Sequence, residues 1–199
     1  MSKIIKHNII LLGLIIAFWI LSYTYNDWLC ETMPRHQLIQ LPSMILIGLI
    51  LGKIFGNKIK LELQWSISIL IIAAFSVVFW MIPRSIDLAV IHADFNRLMH
   101  VDMIITGFFI QSILKNTIPE VKITFLGMIS SMTIATGIAL TAFNLLLCSS
   151  FTIEQQKETG KLLIIIGILL YFFTLITFFR ESNPSTKNQQ LMLSQTEER

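Results

Sequence analysis

Apolar residues gather in six runs separated by short polar stretches. Windows of roughly 20 mainly apolar residues, the length that crosses a bilayer as a helix, fall at about 8–25, 37–56, 65–82, 98–114, 122–147 and 162–179. The pattern predicts an all-α integral membrane protein, a bundle of six transmembrane helices over residues 1–180. The polar stretch 181–199 has few large apolar side chains and reads as a disordered cytoplasmic tail. The first run has the look of a signal-peptide core, but no small-x-small cleavage site comes after it, so it reads as a retained helix. Proline sets expected boundaries. Pro34 opens the second helix, Pro42 kinks it and frees a carbonyl, and Pro83 separates the third helix from the polar segment after it.

Composition agrees with this pattern. Of 199 residues, 54% are hydrophobic and 14% charged, too little charge to cover a soluble domain of this size. The lysines and arginines set an orientation. With the N-terminus in the cytoplasm, ten of them lie on the cytoplasmic side and five (Arg35, Arg84, Arg97, Lys157, Lys161) on the other. That bias puts both termini in the cytoplasm, as expected of a multi-pass plasma-membrane protein. The net charge of +3 is dispersed, with no basic run and no aromatic interleaving, so nucleic acid is not an expected partner; membrane lipid is. GxGxxG, a phosphate-binding loop, HExxH, a serine elbow and CxxC are all absent. No catalysis is expected.

Against this apolar background one segment stands out. Residues 80–103, WMIPRSIDLAVIHADFNRLMHVDM, carry Arg84, Asp87, His92, Asp94, Arg97, His100 and Asp102. Three of the four histidines (His36, His92, His100) fall at the outer ends of predicted helices, as do Met33, Met99, Met103, Cys30 and Cys148. A continuous helix over 86–114 would stack His92, Asn96 and His100 a turn apart; a short interfacial helix over 84–95 is the other arrangement. Imidazole with thioether and thiol donors points to copper over harder ions. The cysteines also read as a disulfide between loops one and five. Asp102 lies inside an apolar window, where a carboxylate marks either a functional site or an ion pair with Arg97 or Arg35.

The blocks MPRHQLIQLPSMILIGLILG and WMIPRSIDLAVIHADFNRLMHVDMIITGFFIQSIL resemble the CtaG-like family of membrane proteins, the caa3-type cytochrome c oxidase assembly factors. The positions that carry the resemblance are His36, Trp80, Pro83, Asp87, His92 and His100. Where the family has a second histidine a turn after the first, this chain has Gln40. The resemblance implies a role in maturing the copper centre of a haem-copper oxidase. The expected metal ligands are His36, His92 and His100, with Met33, Met99 and Met103 as soft supplements and Cys30 or Cys148 as further donors. Asp87 and Asp102 would accept from the imidazoles and pair with Arg84 and Arg97, and Gln40 would support His36 from the same helix face. The alternative is a structural or electron-transfer subunit of a respiratory or oxygenase membrane complex, its polar cluster either a docking surface or a haem b site with His36 and His92 or His100 as ligands.

Overall fold

The computed structural model describes residues 3–56, 59, 61–115, 117–142 and 146–182. The predicted tail from 183 onward lies outside them. The described residues form eight helices: α1 (Lys3–Thr24), α2 (Asn26–Cys30), α3 (Met33–Phe55), α4 (Leu63–Met81), α5 (Pro83–Ile91), α6 (Ala93–Leu114), α7 (Pro119–Ala142) and α8 (Ile153–Ser182). Among the described residues α3, α4, α6, α7 and most of α8 are long and apolar enough to cross a membrane. The apolar run described in α1, Leu11–Thr24, is shorter. Large apolar side chains such as Phe75, Ile72, Phe179 and Ile176 point outward. A helix that is apolar on its exposed face needs lipid around it.

Small residues join the helices in two tight pairs. In α3 the run GLILGKIFG repeats glycine every fourth residue, at Gly48, Gly52 and Gly56. A Cβ at Gly48 would fall onto the Ile104 carbonyl oxygen of α6, and one at Gly107 onto the Ile45 carbonyl of α3. Without a hydrophobic drive between helices in lipid, such close backbone approach supplies the packing. The α7–α8 pair does the same, where a Cβ on Gly137 would stand 2.6 Å from the Gly160 carbonyl oxygen. α4 packs on both pairs. Leu70, Ala74, Ile113 and Phe125 bury one side of it, and Val77 and Met81 meet Leu140 and Leu163 on another.

Two local features position the polar residues. The first is a π turn at His36–Gln40 inside α3, where the Leu41 N–H bonds to the His36 carbonyl five residues back. Pro42 comes next and has no N–H to give, so the ladder is already short of a donor where it widens. The second is a break at His92, whose backbone is extended (φ −115°, ψ 114°) between α5 and α6. Asp94 sits in the first turn of α6, where the helix dipole favours a carboxylate. The 86–114 stretch is therefore two helices, the arrangement with a short separate helix, and His92 does not continue the stripe of Asn96 and His100.

Candidate functional site

The polar interior lies at the end of the bundle where α1 and α4 finish and α3 and α6 begin. Its centre is the Gln40 carboxamide, fully buried. Gln40 Oε1 accepts from His36 Nδ1 at 2.6 Å and lies 3.6 Å from Cys30 Sγ. Gln40 Nε2 lies 2.9 Å from both Asn26 Oδ1 and His100 Nε2. An amide N–H only donates, so His100 presents a lone pair at Nε2 and His36 carries its proton on Nδ1. His36 Nε2 is then a second lone pair, buried with no hydrogen-bond partner. An orphaned buried acceptor costs about 1–3 kcal/mol and is the kind of feature retained for chemistry.

Cys30 enters this cluster from α2. Its Sγ is 3.8 Å from His36 Nδ1 and 3.4 Å from Asn96 Nδ2, which donates to it and also to the Ala89 carbonyl. Burial pushes the Cys30 thiol up to about 11, so at neutral pH it is a protonated, slowly reacting thiol. A cavity of about 200 Å³ lined by Tyr23, Asn26, Asp27, Asn96, Arg97 and His100 reaches the cluster from the same end.

Cys30, His36 and His100 all border the same carboxamide, and to hold a soft metal through Nδ1 His36 would first have to release the proton it gives to Gln40 Oε1. Among the described residues no three His, Cys, Asp or Glu groups are already gathered as a metal site. Gln40 stands between the imidazoles and would have to swing aside. The same carboxamide occupies the space between His36 and His100, one of the two histidine pairs expected for haem b.

Other expected site residues are placed elsewhere, each for a physical reason. His92 is exposed at the helix break, against Phe95. Asp87 accepts no imidazole proton. Ser149 N and Oγ donate to its Oδ2 at 2.8 and 2.9 Å, and Ser150 N to its Oδ1 at 2.9 Å, so it anchors the turn before α8. Burial opposes its charge, but those donors outweigh burial and lower its pKa. Asp102 lies two residues past His100, on another flank of α6. It accepts from Trp80 Nε1 at 2.7 Å and from the Ser76 hydroxyl, and not from Arg97 or Arg35. Arg97 pairs with Asp94, Arg35 pairs with Glu31 and stacks on Trp28, and Arg84 is exposed.

Met33, Met99 and Met103 are fully buried in apolar clusters, Met33 with Ile86 and Phe151, the other two with Met44 and Trp80. Both cysteines are free thiols and the expected disulfide is not formed; Cys148 packs beside Met33 and Pro83. Asn26 joins the cluster although the apolar pattern marks it only as the end of a run. Gln156 is a second residue the pattern passes over. Its carboxamide accepts from Leu147 N and Cys148 N and donates to the carbonyls of Cys148 and Phe151, holding the same loop that Asp87 anchors. Comparison with family models, curated proteins and solved structures returns no match.

Proposed function

We propose that this chain handles copper at the extracytoplasmic face of the plasma membrane, as an accessory or assembly protein for a haem-copper oxidase or a similar membrane metalloenzyme. In this reading α1 is a sixth crossing, both termini are cytoplasmic, and the protein performs no catalysis of its own. The observation that carries it is the convergence of Cys30, His36 and His100 on one buried carboxamide. Thiolate and imidazole together suit Cu(I). Bound there, copper would have Cys30, His36 and His100 as ligands, with Gln40, Asn26 and Asn96 as hydrogen-bond supports around them. The cavity beside Asp27 gives an ion a polar entry. A movable carboxamide at the centre suits a protein that must take up and release its ion, because the apo state already has hydrogen bonds to return to.

The test is copper loading of detergent-purified protein under reducing conditions, and then elemental analysis. The wild-type chain is expected to retain near-stoichiometric copper, and His36→Ala and His100→Ala to lose most of it while remaining in the membrane. His92→Ala should retain copper, since His92 lies outside the cluster. Equal retention by all three variants would reject the site. Membranes lacking the chain should hold oxidase with its haem but depleted of copper; oxidase with full copper would reject the assembly role.

A further inference from the structure

One buried polar group has no part in that cluster. Gln37 is the next residue after His36 and serves a different space. It is 2% exposed, and neither its Oε1 nor its Nε2 has a hydrogen-bond partner. It lines a cavity of about 330 Å³ between the two helix pairs, together with Pro42, Val77, Ile129, Leu163 and Ile166. Among the described residues no charged side chain lines this cavity. The other polar lining residue, Thr133, donates its hydroxyl to the Ile129 carbonyl. On the rim Leu46 and Ile166 are exposed on the apolar outer surface, so the way in is from the bilayer.

A carboxamide with donor and acceptor both unused is rare in a native interior and costly to bury. Water alone would satisfy the amide but has no partners along the apolar walls. We infer that the cavity binds a protonated long-chain carboxylic acid drawn from the bilayer. The acid C=O accepts from Gln37 Nε2 and the acid O–H donates to Gln37 Oε1, while the chain lies along the apolar walls. The match is one of chemistry: the carboxamide presents a donor and an acceptor side by side, and a neutral carboxylic acid presents their complements side by side. An ester or ketone accepts but does not donate, and would leave Oε1 unpaired. With no cation among the described lining residues, burial favours the neutral acid over the carboxylate. This site and the copper cluster share only the π turn, so either stands without the other.

The experiment is saturation binding of radiolabelled lauric acid to the full-length protein in detergent, with methyl laurate as competitor. The expected result is one saturable site per chain, with methyl laurate roughly tenfold weaker than unlabelled lauric acid. Gln37→Leu should weaken lauric acid roughly tenfold or more, and Ile166→Phe, which fills the rim, should weaken acid and ester alike. Equal competition by the methyl ester, unchanged binding in Gln37→Leu, or no saturable binding would each overturn the inference. Equal competition would identify the occupant as any lipid tail. If Gln37→Leu fails to fold, the acid-to-ester ratio on the wild-type protein and on Ile166→Phe still decides.

Discussion

Asp87 shows how one side chain can look like chemistry in the sequence and prove to be architecture. Its carboxylate takes three hydrogen bonds from the Ser149–Ser150 turn and holds that turn over the buried Cys148. Burial pushes the Cys148 thiol up to about 12, with the Asp87 charge adding to the rise. Asp87→Ala should loosen the turn by about 3 kcal/mol, since hydrogen bonds to a charged group are worth about 1.5–3 kcal/mol each and do not add fully. In a Cys30→Ser background, alkylation of Cys148 should then speed up roughly a hundredfold. An unchanged rate would mean that the turn does not depend on Asp87. The lowered Asp87 pKa sets the pH dependence. The anchor is fully present above the ordinary aspartate value of 3.8 and is lost as pH falls through the still lower folded value. Reaction of Cys148 with a thiol reagent that works at acid pH should stay flat above 3.8 and rise as pH falls through the lowered Asp87 value.

Residue type made part of the candidate cluster legible. His36 and Gln40 read as sharing a face, and both lie in the cluster, as does His100. Cys30 was legible as a donor but not as a neighbour of His36, because α2 is a five-residue helix between two apolar runs and has no periodic signal of its own. Asp102 and the methionines fell away for a reason composition does not carry: neutral donors and apolar neighbours were available to them.

At the scale of the element, the π turn and the glycine run do the positioning. A straight α-helix from Met33 would hold Pro42 at the cost of an unpaired carbonyl. The widened turn comes just before that proline and displays His36 and Gln40 to the cluster while Gln37 lines the cavity. Pro42 announced a disturbance in the sequence, and the structure resolves it as extra width in place of a sharp kink. The break at His92 had no comparable sign, since neither glycine nor proline marks it, and a histidine that pattern alone would stack on His100 is turned outward. The glycines make a direct prediction. Gly48→Leu drives a side chain into the α6 backbone, whereas a Cβ on Gly127 of α7 meets nothing within 4 Å. Overpacking costs about 1–3 kcal/mol or more where backbone must move. Gly48→Leu should lower the Tm in detergent and copper retention together, and Gly127→Leu should change neither. Equal stability of the two variants would show that the α3–α6 contact is not what aligns His36 with His100.

At the scale of the whole molecule, apolar runs announced nearly all of the membrane helices, because length and hydropathy alone fix a spanning segment. They did not announce the pairing of α3 with α6 and of α7 with α8, which rests on single glycines and backbone contact. That pairing leaves two spaces of opposite character, a polar cluster at one end and an apolar cavity between the pairs. The central claim concerns the first of them. X-ray absorption at the copper edge on Cu(I)-loaded, detergent-purified protein tests it most directly. The account predicts a shell of one sulfur and two imidazole nitrogens, with the sulfur lost in Cys30→Ser and one nitrogen lost in His100→Ala. A shell of thioether sulfurs unchanged in both variants, or no bound copper at all, would contradict it.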